Sequence, residues 1–303
     1  MSDLIKFYIS VRKSYLSGVP DLELSRRCFY LLNNISNLNE QGFVVPHGAD
    51  ANVKQRLYDV YAEIFMRGRS IESFIKDNPF ENSKTAMINS NEHIVKKVKK
   101  LQSHIPRKSD NLLFRFNSFE FMEDFVLNGG VYLQSASAYK AAENISIRDD
   151  ELCFSFTHYL SELDRKNVAD VPYVDYEITC PDFLTLCFTS SINFRMIADW
   201  SSEAAVIIHN PEQLFLRLRD ETQQFQTNKA KLERGRVRYI DPYFDSAAII
   251  KNAELPFCKD YKFGYQKEYR YVIRNDNNLC NEQRKIFLGS LEDIATLVDL
   301  RSI

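Results

Sequence analysis

Apolar positions in the first third of the chain recur at three- and four-residue spacing, the period of a helix with one buried face. Leu4, Tyr8, Val11 and Tyr15 share such a face, and Ser17-Gly18-Val19-Pro20 stops the pattern. A second helix is expected after Asp21, with Leu24, Cys28, Leu31, Leu32 and Ile35 inward. Gly42, Pro46 and Gly48 make 39–52 a loop. A third helix carries Leu57, Val60, Tyr61, Ile64 and Phe65 and is interrupted at Gly68; Ile71, Phe74 and Ile75 extend it briefly before Asn78-Pro79. A further helix near Asn91 turns Ile94, Val95, Val98 and Leu101 inward.

From Asn111 the period shortens. Runs at 112–116, 131–135, 151–156, 184–189, 204–208, 236–240 and 268–273 read as strands. Helices are expected at 118–128, about 211–219 and 245–252, with 291–300 either helix or strand. Helices first and strands later predict an α+β fold, a helical region over 1–108 followed by a second domain over 109–303.

Composition changes this picture little: of 303 residues, 45% are hydrophobic and 26% charged, as in a folded globular chain. Gly and Pro number only nine each, which argues against Gly-rich phosphate loops and many-turned sandwiches. A net charge of −2 gives no global pull toward nucleic acid or membrane, so such a site would be a local patch. One candidate is Lys96, Lys97, Lys99 and Lys100 with Arg107 and Lys108, a phosphate-tracking surface in principle; with no aromatic residue among the lysines to stack a base, a solvated helix face is the simpler reading. Six cysteines without a C-x-x-C pair point to a reducing compartment and no structural metal. The absence of a leader-like start and of an apolar run of ~18 residues predicts a cytoplasmic protein with no membrane partner. His158 and His209 are isolated, and no Asp/Glu/His set has the spacing of a metal nuclease.

Three polar features interrupt the apolar strands. In Tyr261–Arg274, period-2 alternation places Gln266, Glu268 and Arg270 on one face. A solvated edge strand with a surface ion pair would account for them. Arg115 sits inside Leu-Leu-Phe-Arg-Phe and must find a carboxylate, a phosphate or solvent, because a buried unpaired charge is costly. Ser135 and Ser137 end a strand, where hydroxyls commonly cap a turn.

Arg115, Ser135-Ala136-Ser137 and Gln266-Lys267-Glu268, in that order, resemble the R-S-E class of ADP-ribosyltransferases. Lys259, Phe263, Gln266, Glu268, Tyr269 and Arg270 also resemble a bacterial family of uncharacterised domains with a K-x-x-x-W-x-x-E-x-E-Y-R signature, and Trp200 after Cys187-Phe188 is a further shared feature. That family has Asn-Asp-Pro-Phe-Glu where this chain has Ser137-Ala138-Tyr139. The resemblance covers about 111–275 and implies a split β-sheet core with flanking helices. It implies a glycosyltransferase that takes NAD as substrate, without metal, and transfers ADP-ribose to RNA, DNA or protein. The setting implied is a toxin of a toxin–antitoxin or phage-defence system, its helical region docking an antitoxin or the acceptor. Glu268 would both stabilise the oxocarbenium-like transition state and hydrogen-bond the ribose 2′-hydroxyl. Gln266 would face the acceptor, and Arg115 would hold a phosphate or ribose. Ser135 and Ser137 would position the ribose and brace Glu268, with Tyr139 or Tyr269 stacked on nicotinamide. An NAD glycohydrolase and a non-enzymatic interaction module are the alternatives.

Overall fold

The computed structural model describes residues 15–38, 44–46, 51–79, 92–106, 111–143, 148–159, 173–223, 231–245, 251–274 and 283–301. The helix expected around Leu4–Val11, most of the one at 245–252, and Arg107 and Lys108 lie outside them.

Mixed α and β structure with mainly antiparallel sheets is what the chain forms. Helices α1 (Asp21–Ile35), α2 (Ala51–Met66) and α3 (Ile71–Asp77) pack together through Leu24, Cys28, Leu31, Val60, Ile64 and Phe74, the positions their helical spacing predicts. Two short strands, β1 (Ser36–Leu38) and β2 (Val44–Pro46), pair within the stretch read as a loop. Helix α4 (Glu92–Ser103) turns Val98 and Leu101 toward the β region and its lysines outward, but Lys97 donates to the Ser202 carbonyl at 2.9 Å. Lys96 pairs with Glu92, an exposed helix pair of small value.

The main sheet is built from β3 (Leu113–Asn117), β4 (Gly130–Ser135), β7 (Phe183–Thr189), β8 (Ala204–Ile208), β9 (Leu232–Arg236), β12 (Glu268–Arg274), β13 (Arg284–Phe287) and β14 (Ala295–Asp299). Between β4 and β7, β5 (Cys153–Tyr159) and β6 (Tyr173–Thr179) form a separate antiparallel ribbon. Strands β10 (Arg238–Ile240) and β11 (Cys258–Asp260) form a short parallel pair. The run 236–240 is thus two strands broken at Val237, and 291–300 contributes a strand.

Strand β7 organises the sheet. One of its edges pairs with β12 along its whole length, Phe183 to Thr189. Its other edge is shared: β4 pairs at Leu184 and Thr185, and β3 meets it only at Thr189. From those two ends β3 turns away to pair with β8, and β4 pairs with β13. The sheet therefore opens into a V beside residues 186–188. Helix α5 (Phe119–Leu127), which joins β3 to β4, buries Met122, Phe125 and Val126 against the sheet, and α6 (Ala136–Lys140) follows β4.

The helical region is clamped to the strands that carry the site. Arg27 on α1 forms a buried two-pronged ion pair with Asp241, at 2.5 and 2.6 Å. Asn34 donates to the Tyr261 carbonyl at 2.6 Å and accepts from the Tyr265 amide at 3.0 Å. This contact needs Gly264, where a Cβ would stand 3.1 Å from the Asn34 side chain.

Candidate functional site

The V between β3 and β4 holds a cavity of about 500 Å³. Arg115 (β3), Tyr139 (α6), Gln266 and Glu268 all line it, so four of the six residues picked out in the sequence share one chamber. Cys187, Glu151, Lys259 and Trp200 complete its polar and aromatic wall.

Arg115 reaches into the gap left on the edge of β7. Its Nη1 donates to the Cys187 carbonyl at 2.7 Å, and its guanidinium lies over the Phe188 ring at 5.6 Å. Among the described residues no carboxylate pairs with it, and burial pushes its pKa below the usual arginine value. Of the three partners an Arg in this strand requires, the carboxylate is therefore not the one it finds.

Glu268 begins β12 and is only 7% exposed, so it is no surface residue. Its Oε1 accepts from Lys259 Nζ at 2.5 Å and its Oε2 from Arg270 Nε at 2.8 Å. Arg270 also donates to Glu151 Oε1 at 2.7 Å and to the Pro256 carbonyl at 2.9 Å, while Lys259 stands 3.3 Å from the same Glu151 oxygen. Two cations and two carboxylates thus form a closed, buried and electrically neutral network. Burial alone would raise the Glu268 pKa, but the charges of Lys259 and Arg270 outweigh it and hold the carboxyl at about 2. At Glu151 burial prevails and the pKa is raised; among the described residues its Oε2 has no hydrogen-bond partner. The indole Nε1 of Trp200 is likewise buried without a partner among the described residues, its ring edge-on to Phe116.

The local backbone differs from a continuous strand through 265–273. Tyr261–Gln266 is a 3-10 turn, Lys267 is left-handed at φ 46°, and only from Glu268 does the chain extend. Gln266 and Glu268 share the cavity because the turn delivers them there, not because they alternate on one strand. Arg270 does share the face of Glu268, as period 2 predicts. Tyr269 packs instead against the core, beside Tyr271 and opposite Phe188 on β7, so of the two tyrosines only Tyr139 lines the cavity.

The serines are elsewhere. Ser135 Oγ and Ser137 Oγ donate to Asp182 Oδ2 at 2.6 and 2.7 Å, and the Ser137 amide donates to Oδ1 at 3.2 Å. Ser135 pairs with Leu184 and Glu268 with Thr189, five residues apart on β7, or roughly 17 Å. The bracing of Glu268 expected of the serines is supplied by Lys259 and Arg270. Neither Glu151 nor Asp182 carried a sequence signal; each lies in a connection before a strand, with no motif around it.

Of the residues of the second signature, Tyr269 lies apart from the others. Lys259, Glu268 and Arg270 meet in the network, and Lys259 Nζ stands 4.8 Å above the Phe263 ring. No protein-family model, curated protein or solved structure matches the chain. Among the described residues no helix is long and apolar enough to cross a membrane.

Proposed function

We propose that the chain cleaves the nicotinamide–ribose bond of NAD in this cavity and transfers the ADP-ribosyl group to an acceptor. The observation that carries the reading is the meeting of Arg115, Tyr139, Gln266 and Glu268 in one chamber. Its volume suits a nucleotide-sized ligand, within the roughly 300–1,000 Å³ usual for such sites. A diphosphate would give Arg115 the anion it lacks among the described residues, and Trp200 Nε1 offers a donor unused among them. An ADP-ribosyltransferase-like split sheet is consistent with the parting of β3 from β4.

In the reaction the C–N bond electrons leave with neutral nicotinamide. A lone pair of the acceptor forms the new bond to the ribose carbon, and the acceptor's proton passes to solvent. Glu268, held ionised, stabilises the oxocarbenium-like transition state by its charge. Both of its oxygens already accept charged hydrogen bonds from Lys259 and Arg270, so it acts through its charge and not as a general base. The toxin or phage-defence setting, with an antitoxin on the helical region, belongs to the same proposal.

One observation favours a second reading, a nucleotide-binding module without catalysis: both Glu268 oxygens are already committed to Lys259 and Arg270. Incubation of the full chain with NAD, alone and with RNA, DNA and lysate, separates the two. Free nicotinamide with a labelled macromolecule is the expected result. Nicotinamide without label makes the chain a glycohydrolase, and NAD binding without nicotinamide makes it a module.

A further inference from the structure

A second cavity, of about 540 Å³, approaches Glu268 from the opposite side. It lies between the α1–α2 helices, which contribute Leu31, Asn34 and Arg56, and the segment 236–245. Its lining is cationic: Arg56, Arg236, Arg238 and Lys267. Arg56 is shared between Asp241 and Asp245, at 3.3 and 3.7 Å, and Arg238 stands 3.8 Å from Asp245. Asp245 is thereby neutralised, as Glu268 is by Lys259 and Arg270. Arg236 and Lys267 are exposed and have no carboxylate within 4 Å among the described residues. Beside them Phe244 is 51% exposed, its ring meeting Tyr15 edge to face at 5.7 Å and the Arg56 guanidinium 4.8 Å from its centre, which leaves part of the ring open.

Uncompensated cations beside an exposed aromatic face are what a single-stranded nucleic acid requires: charge for its phosphates and a platform for an unstacked base. An acidic protein surface would use the cations but not the ring. We propose that this second cleft binds a single strand of RNA or DNA and presents one of its nucleophiles to the Glu268 end of the first cavity. The inference rests on the ADP-ribosyl transfer proposed above, but strand binding itself needs no NAD. It also moves the basic docking surface from the α4 lysines, where the sequence suggested it, to Arg236 and Lys267.

The test is fluorescence anisotropy of labelled RNA and DNA single strands of about 12 nucleotides, a length such sites accommodate, titrated with the full chain without NAD over a salt series. Binding should be salt-dependent. The double variant Arg236→Gln/Lys267→Gln should weaken it and flatten the salt slope by about 1.4, two phosphate contacts at about 0.7 each. Phe244→Ala should weaken it roughly tenfold. Arg236 and Lys267 are exposed, so their double variant should keep the thermal unfolding midpoint. Phe244→Leu, which keeps an apolar contact with Tyr15 and Arg56 but not the ring, should weaken strand binding as Phe244→Ala does. No strand binding, binding that these variants leave unchanged, or duplex bound as tightly as single strand overturns the inference, as does NAD-dependent labelling of protein alone. Because NAD is absent, failure here leaves nicotinamide release standing, and failure of nicotinamide release leaves strand binding standing.

Discussion

Lys259 Nζ lies 2.5 Å from Glu268 Oε1, with both side chains buried. The parallel pairing of β10 and β11 places Lys259 beside Tyr239, whose hydroxyl accepts the Glu268 amide at 2.8 Å. One short segment therefore fixes both the charge and the backbone of Glu268. The same contact makes Glu268 part of the protein's stability as well as of its site.

Removal of Lys259 should expose that dual role. Lys259→Met leaves Arg270 facing two buried carboxylates, one of them without a counter-charge. Breaking one side of a buried ion pair costs about 3–5 kcal/mol, which urea unfolding would measure. Adding Glu151→Gln removes the surplus negative charge, so the double variant should recover part of the loss. If the two losses simply add, the network is not a coupled unit.

The acid limb of stability should follow Glu268. Its pKa falls from the ordinary 4.5 to about 2 on folding. The unfolded chain therefore binds more protons between those values. The contribution is fully present above about 4.5 and is lost as pH falls toward 2. The unfolding free-energy difference between wild type and Glu268→Gln should thus shrink across that window. Glu151, with its raised pKa, works in the opposite sense, favouring the fold at lower pH. In Glu151→Gln the acid loss should therefore steepen.

Much of the architecture was legible because burial follows period. The inward faces of α1 and α2, and β3, β4, β7, β8 and β12, all fall where apolar spacing places them. The ribbon strand β6 was passed over although Val174, Tyr176 and Ile178 alternate with Asp175, Glu177 and Thr179; only Tyr176 and Ile178 are more than slightly covered, so its apolar face is short. The site was legible as to which residues, and less so as to what they touch. Arg115 and Glu268 stand out because a charge in an apolar strand needs a reason. Ser135 and Ser137 fitted a spacing, but the pairing of β4 with one end of β7 sends them to Asp182. Such pairing between distant segments leaves no local trace, and for the same reason Glu151 was invisible.

Arg115 should behave as a ligand-binding residue and not as a structural one. Its only polar partner among the described residues is a backbone carbonyl, so Arg115→Gln removes a poorly compensated buried cation. The unfolding free energy should stay level or rise. NAD affinity, followed by calorimetry, should fall by the equivalent of a charge-assisted hydrogen bond, about 1.5–3 kcal/mol. A variant that loses stability while keeping its NAD affinity would make Arg115 a scaffold residue.

The double variant Ser135→Ala/Ser137→Ala should do the reverse. It removes two hydroxyl donors from Asp182 and loosens the start of α6. The expected cost is about 1 kcal/mol per hydrogen bond, read in a thermal melt. NAD binding should be unchanged, because neither side chain lines the cavity. Loss of NAD affinity with stability intact would return the serines to the site.

Lys267 links the two cavities through its backbone. Its φ of 46° is a conformation that glycine adopts freely and lysine does not. Lys267→Gly should relieve about 1 kcal/mol of left-handed strain, less about 0.5 kcal/mol for the freer unfolded chain. The variant should therefore be slightly more stable by chemical denaturation. Its charge is gone from the second cleft, so single-strand affinity should fall as the stability rises. That opposition has a physical basis: the left-handed turn aims Gln266 and Glu268 at the first cavity while leaving the residue between them exposed to the second. A glycine that improves both properties would show that Lys267 contributes only its backbone.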